Sequence, residues 1–357
     1  MARVTRIAVI GGDGVGPEVT AVAKRALAAA AEGTGTRYEF EDLPWGADRY
    51  LETGETVPDA AFDRLADEFD AVLLGALGDP RVPGNEHARD ILLGLRFRLD
   101  LYINLRPVRL LHPGLCPLRP RPDGRARAID LVVYRENTEG AYVGMGGSFK
   151  EGTREEVAVA EDLNTYRGVK RIVRAAFDHA VEHARSRVTM SDKANAMPQA
   201  HGLWRRVFEE VAAEFPFVES EAEYVDALAL KLVQSPERYD VIVAPNLFGD
   251  ILSDLAAGLT GGLGLAPSAN LHPGRPGVFE PVHGSAPDIA GTGAANPMAA
   301  VLSAALLASH TGAPEIGRAL EAAVADALEE GVATPDVGGA GSTVEVGDWI
   351  VARVEEG

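Results

Sequence analysis

Short apolar and β-branched runs recur along this chain, separated by longer stretches with helical spacing, and this alternation limits the possible fold more than any other feature. The runs cover residues 7–10, 71–74, 131–134, 188–190 and 241–244, and the helical stretches include 17–31, 169–184 and 202–215. Strands alternating with helices of this length specify an α/β protein. Pro17 falls where a first helical turn tolerates a missing N–H, and Glu18 suits the positive end of the helix. The Pro/Arg-rich stretch 112–127 reads as a surface excursion, because patterned strands resume directly after it. Residues 258–297, rich in Gly, Ala and Pro, read as a long ordered loop system, and loops of that length usually serve a function.

At 357 residues the chain holds one large or two ordinary domains. A formal net charge of −19 argues against nucleic acid or an anionic membrane as the main partner. An anionic substrate would need a local cluster of cations working against that field. The single cysteine, Cys116, excludes an internal disulfide framework and any zinc site needing several thiolates, and it fits a reducing compartment. The first residues run straight into a strand-like segment without a signal-peptide pattern, and no apolar stretch reaches the roughly 18 to 20 residues of a membrane span. The expectation is a cytoplasmic protein without membrane association.

The run Gly11-Gly-Asp-Gly-Val-Gly-Pro17 invites comparison with the dinucleotide fingerprint. Counted from Gly12, however, Pro17 stands in place of the third glycine, and the residues about 20 further on lack a clear strand-end acid. A nucleotide bound here would be held in another way.

Asp250 and Asp254 end the stretch Asp240-Val-Ile-Val-Ala-Pro-Asn-Leu-Phe-Gly-Asp250-Ile-Leu-Ser-Asp254 and share one face of a helix. Two like charges there repel, so either the face is solvated or a cation offsets them. Mg²⁺ and Mn²⁺ are the natural cations, since they take carboxylate oxygens and leave places for substrate oxygens. A strand-to-helix junction in an α/β protein is where ligands collect, which favours the cation. Asp226 interrupts another apolar run and is a candidate third ligand.

Arg96, Arg98 and Arg106 lie in the otherwise apolar stretch 92–107, and Arg135 follows the run 131–134. A buried arginine needs an anionic partner. Structural ion pairs with the 53 acids of the chain supply one explanation. A ligand with two carboxylates, each taken by a bidentate guanidinium, supplies the other. Lys193 ends a strand, and a desolvated lysine near other cations can serve as a general base; Tyr142 can pass a proton. Surface or packing roles are the plain alternative for both.

Taken in order, these segments closely resemble the decarboxylating 2-hydroxyacid dehydrogenases, the isocitrate/isopropylmalate dehydrogenase family that also holds homoisocitrate and tartrate/malate enzymes. The matching motifs are Gly12-Asp-Gly-Val-Gly-Pro-Glu-Val19, Asn104-Leu-Arg-Pro107, Arg135-Glu-Asn-Thr-Glu-Gly-Ala-Tyr142, Asp192-Lys-Ala-Asn195, Asn246-Leu-Phe-Gly-Asp-Ile-Leu-Ser-Asp254 and Glu280-Pro-Val-His-Gly-Ser-Ala-Pro-Asp-Ile-Ala-Gly291. The resemblance implies a two-domain, isopropylmalate-dehydrogenase-like α/β fold, not of the Rossmann type, with a large mixed sheet flanked by helices. Residues 1–101 with 261–357 would form the cofactor-binding domain, and 102–260 the substrate, metal and dimerisation domain.

Residue by residue, Arg96, Arg106 and Arg135 resemble the clamps on the substrate carboxylates. Asp250 and Asp254 are similar to metal ligands from one subunit, with Asp226 from its dimer mate. Lys193, also from the mate, resembles the base for the C2 hydroxyl, and Tyr142 the acid that protonates carbon after CO₂ leaves. A homodimer with shared active sites is implied. His283, Gly284, Ser285, Ala286, Asp288 and Asn296 resemble the loop around the adenosine of NAD. Asp288 would accept from the ribose hydroxyls and repel a 2′-phosphate, which favours NAD over NADP.

Leu92 and Leu93 stand where isopropylmalate enzymes face the apolar C3 substituent, and Gly78-Asp-Pro-Arg-Val-Pro83 is similar to the actinobacterial type of those enzymes. Arg89 stands where many of them carry glutamate, Ala196 where a valine touches the isopropyl group, and Asn137-Thr-Glu-Gly is similar to tartrate and homoisocitrate dehydrogenases. The implied reaction is NAD-dependent oxidative decarboxylation of a 3-alkylmalate, 3-isopropylmalate to 2-oxoisocaproate in leucine biosynthesis, with Mg²⁺ or Mn²⁺. The alternative is a paralogue acting on tartrate, malate or a bulkier 3-substituted malate.

Overall fold

The computed structural model describes residues 3–121 and 123–356. Among the described residues the strands are β1 Arg3–Gly12, β2 Thr36–Asp42, β3 Ala71–Ala76, β4 Ile103–Arg109, β5 Asp130–Glu136, β6 Gly146–Phe149, β7 Val157–Ala160, β8 Arg187–Asp192, β9 Glu219–Tyr224, β10 Val241–Ala244, β11 Pro267–Leu271 and β12 Gly277–Pro281. The chain divides into two units. The first comprises Met1–Leu101, Leu110–Arg127 and Ala257–Gly357, and the second comprises Tyr102–Arg109 and Ala128–Ala256.

In the first unit the strand order is β2-β1-β3-β12-β11. All neighbours run parallel except β11 and β12, which pair antiparallel. Every residue of β3 is buried, as a central parallel strand covered on both faces requires. Helix Gly16–Ala30 opens with Pro17 in its first turn, where the sequence places it. Helix Met298–His310 is apolar around nearly its whole circumference and is correspondingly buried. Ile91 and Leu95 root helix Glu86–Arg98 in a core containing Ile10, Trp45, Phe62, Leu65 and Leu74, against which Leu92 also packs.

One expectation changes here. The stretch 258–297 is not one loop, because β11 and β12 occupy its centre. Buried Ser268 and Asn270 hide the strand pattern, and both find partners on β12: the Ser268 hydroxyl donates to the Glu280 carbonyl at 3.0 Å and the Asn270 amide to the Glu280 carboxylate at 2.8 Å. A strand-end acid also exists after the glycine run. Asp42 ends β2, beside β1, and receives a hydrogen bond from Lys24 at 2.7 Å. The turn between helix Gly16–Ala30 and β2 places it later than the fingerprint spacing.

In the second unit the order is β4-β5-β10-β8-β9, with β4 antiparallel to β5 and the remaining neighbours parallel. Each unit thus shows the expected mixed α/β character. Helix Tyr166–Glu182 is capped by the Thr165 hydroxyl, which accepts from the Gly168 N–H at 3.0 Å, and buries Ile172, Val173 and Phe177. β6 and β7 pair as a separate antiparallel hairpin with all of their residues exposed. Among the described residues no helix is long and apolar enough to cross a membrane.

Candidate active site

The four buried residues of β10 end at Pro245, and helix Asn246–Gly258 starts at once. This junction places Asp250 and Asp254 against two arginines projected by the antiparallel pair β4 and β5. Arg106 Nη1 donates to Asp254 Oδ1 at 2.8 Å and to the Ser253 hydroxyl at 2.7 Å, and its Nη2 lies 3.2 Å from Asp250 Oδ1. Arg135 Nη1 donates to the same Asp250 oxygen at 2.5 Å. Both guanidiniums are buried, whereas the Asp254 carboxylate remains half exposed. Burial, the largest cause, raises the Asp254 pKa; the charge of Asp250 also raises it, and Arg106 and Arg135 oppose the rise. Within one chain, then, the arginines take the aspartates as partners.

Tyr142 joins this cluster. Its hydroxyl donates to Asp250 Oδ2 at 3.0 Å, and the Arg135 guanidinium stands over its ring at 5.4 Å. Burial first, then the Asp250 charge, pushes the phenol up and keeps it protonated.

Two asparagines that open matching motifs but were given no role there hold the arginines in place. Asn104 accepts from Arg106 Nε at 2.8 Å, and Asn246 accepts from Arg135 Nε at 2.9 Å while donating to the Glu139 carbonyl at 2.9 Å. Both are buried. Their signal was position: each stands within one motif of an arginine or acid already singled out.

Lys193 and Asp226 form a separate pair. The ammonium donates to Asp226 Oδ1, and this bond is the largest cause holding the carboxyl below its usual range. Among the described residues, no three His, Cys, Asp or Glu side chains converge as a metal group, so Asp226 does not join Asp250 and Asp254 within one chain. Ala196, three residues beyond Lys193, is exposed.

In the first unit, Arg89, Leu92, Leu93 and Arg96 fall at helical spacings of three, four and seven on helix Glu86–Arg98 and so share one face. Arg89 is exposed, Leu92 and Leu93 are partly buried, and the mostly buried Arg96 lies 3.6 Å from Glu280 with its Nε lacking a hydrogen-bond partner. Asp13, part of the glycine run but given no role there, organises this region. Asp13 Oδ1 accepts from Ala47 N–H at 2.6 Å, and Oδ2 accepts from Gly78 N–H at 2.7 Å and faces His87 Nε2 at 2.8 Å.

The loop containing His283, Gly284, Ser285 and Ala286 is fastened to the glycine run by Val15 N–H donating to the Ser285 carbonyl at 2.8 Å. Gly14, at φ 56°, permits this approach, since a Cβ there would lie 1.9 Å from that carbonyl oxygen. Burial lowers the His283 pKa, and His283 Nε2 is shielded from water without a partner. Asp288 is exposed. Asn296 donates to Asp336 at 3.1 Å and accepts from Met298 N–H at 3.0 Å, so both ends of its amide are engaged.

The chain is an α/β enzyme, and comparison with known proteins gives its family. The family model described as isocitrate/isopropylmalate dehydrogenase matches residues 6–350. The 3-isopropylmalate dehydrogenases of Beutenbergia cavernae and Thermobifida fusca are 48% and 45% identical over 357 residues, with 99% of this chain and 99% of each relative covered. Among solved structures, isocitrate dehydrogenase from Methylococcus capsulatus superposes with a TM-score of 0.87 at 36% identity, covering 98% of this chain and 99% of that one. The TT0538 protein from Thermus thermophilus gives 0.85 at 37% identity, covering 98% and 68%. This chain belongs to the isocitrate/isopropylmalate dehydrogenase family.

Proposed function

We propose that the enzyme converts 3-isopropylmalate to 2-oxoisocaproate and CO₂ in the cytoplasm, for leucine biosynthesis, with NAD and Mg²⁺ or Mn²⁺, as a homodimer with shared active sites. The cluster of Arg106, Arg135, Asp250, Asp254 and Tyr142 carries this reading. Two guanidiniums and two carboxylates leave it formally neutral. A dicarboxylate would replace the aspartates as partner of the arginines and leave the aspartates with charge to offset.

Asp250 and Asp254 offer the hard oxygen donors that a divalent cation takes, and the partner subunit's Asp226 completes the set. When bound, the cation would withdraw charge from the C2 oxygen and the neighbouring carboxylate. Arg106 and Arg135 orient the carboxylates by their fixed forks, with Arg96 as the further arginine of this reading. Lys193 Nζ takes the C2 hydroxyl proton, and NAD, when bound, would supply the acceptor for the C2 hydride. The C3 carboxylate leaves as CO₂, and the Tyr142 hydroxyl returns a proton to C3. For the cofactor, the shielded His283 Nε2 and the exposed Asp288 carboxylate fit the polar rim of a nucleotide. The charge of Asp288 opposes a 2′-phosphate and so favours NAD.

Exposed apolar groups support the dimer. Leu230 and Val233 share a face with Asp226 on helix Val225–Gln234, and Leu247 and Ile251 share one with Asp250 and Asp254 on helix Asn246–Gly258. The hairpin of β6 and β7 adds exposed Phe149, Val157 and Val159, more than a free two-stranded hairpin can stably present. A second reading, a paralogue for tartrate, malate or a bulkier 3-substituted malate, draws on exposed Ala196 and Arg89. Replacing valine by alanine withdraws two methyl groups from a pocket wall, worth about 1 to 2 kcal/mol of apolar contact.

Lys193→Ala, assayed with Mn²⁺, tests the chemistry. It should remain dimeric by sedimentation while losing turnover, and a fully active variant refutes the lysine as base. Turnover that survives complete chelation refutes the metal.

A further inference from the structure

We infer that His201 is a positioning residue for Lys193: its imidazole holds the lysine's backbone N–H and so fixes the point from which the side chain reaches the reacting hydroxyl. The inference rests on reading Lys193 as the base.

His201 lies in the first turn of helix Ala200–Ala212 and is 2% exposed. Lys193 N–H donates to its Nδ1 at 2.8 Å. An imidazole nitrogen that accepts carries no proton, so the ring must be the neutral tautomer protonated on Nε2. Nε2 faces Asp162 Oδ2 at 3.4 Å, which suits that tautomer. The Phe248 ring meets the imidazole edge-on at 5.2 Å between centroids. The imidazole is thus held on more than one side, with its acceptor turned to Lys193.

The rest of the helix supports the same turn. Arg205, one helical turn after His201, places Nε 2.9 Å from Asp192 Oδ2, and Asp192 Oδ1 accepts from Ala194 N–H at 2.6 Å. Trp204 Nε1 donates to Asn164 at 2.7 Å, close in sequence to Asp162. The backbone on both sides of Lys193 is therefore tied down. A lysine has four rotatable side-chain bonds, and a general base must come within about 3 Å of the proton it takes. Fixing Cα removes the part of that search that rotamers alone cannot correct.

Three variants separate positioning from packing. The amide oxygen of His201→Asn can stand where Nδ1 stands and accept the same N–H. The amide of His201→Gln reaches the Nε2 position and misses it. His201→Leu keeps bulk and removes both groups. We expect Leu and Gln to lower kcat by about tenfold or more with KM for 3-isopropylmalate within about threefold, and Asn to stay within about threefold of the parent. Deuterium exchange at Lys193 N–H should quicken in Leu and Gln but not in Asn.

If Asn is as damaged as Leu, or if Leu and Gln keep kcat and slow exchange, the histidine serves packing alone and the inference fails. Should Leu not fold, Asn against Gln decides. Lys193→Ala in the same assay separates the two levels. Full turnover there overturns the base and with it the role of His201. A dead Lys193→Ala beside an undisturbed His201→Gln overturns His201 alone.

Discussion

Arg135 Nη1 reaches Asp250 Oδ1 at 2.5 Å because Gly249, the residue before the aspartate, lets helix Asn246–Gly258 lie directly on β5. A Cβ at position 249 would stand 2.7 Å from both Cβ and Cγ of Arg135 and 3.1 Å from its Cα. Alanine gains about 1 kcal/mol in helix propensity, but forced overpacking costs about 1 to 3 kcal/mol. Gly249→Ala should therefore melt no higher than the parent and raise KM about tenfold, because the arginine leaves its seat. An unchanged KM with a higher melting temperature would show that the helix does not depend on this contact.

Asp13 ties three segments of the first unit through one buried carboxylate. Replacing it with alanine strands the N–H groups of Ala47 and Gly78 and the His87 ring, each unpaired donor costing about 1 to 3 kcal/mol. Asp13→Ala should lose about 3 kcal/mol or more in denaturant unfolding. A loss below about 1 kcal/mol would mean the segments are held by packing instead.

His179 gives the protein a specific sensitivity to acid. Burial first, then the charges of His183 and Arg185, lowers its pKa from 6.5 to about 4. The unfolded chain therefore takes the proton first as pH falls. Stability from this group is present above pH 6.5 and is lost as pH drops toward 4. At 1.36 kcal/mol per pKa unit the shift bounds the loss at about 3 kcal/mol, and the partial exposure of the ring reduces it to roughly 1 to 2. Urea unfolding of the parent should lose that amount across the window relative to His179→Gln. Parallel curves for the two proteins would contradict it.

Asp254 tests the cation. With 3-isopropylmalate present, Asp254→Asn should bind Mn²⁺ at least about tenfold more weakly in a calorimetric titration. Equal affinity would place the cation elsewhere.

The class of fold could be read from the sequence because β3 and β10 are buried on both faces and so appear as unbroken apolar runs. β11 could not, since its inward positions Ser268 and Asn270 are polar and depend on β12 for their partners. The pairing of acids in the site was legible from helical spacing, which made Asp250 and Asp254 neighbours without any tertiary information. The roles of Asp13, Asn246 and His201 were not legible, because each acts through contacts with residues distant in the sequence or through backbone atoms; Asn104 meets Arg106 only two residues away, but only because the strand puts both on one face. An asparagine on β4 looks the same in sequence whether it faces water or an arginine.

The substrate is the central claim, and one measurement addresses it: NADH formation by the purified enzyme with Mn²⁺, across malate, tartrate, isocitrate, homoisocitrate and 3-isopropylmalate. The highest kcat/KM should fall on 3-isopropylmalate, with NADP a poor substitute for NAD. Preference for isocitrate, tartrate or malate would contradict the roles given to Leu92 and Leu93 and pass the chain to a different branch of its family.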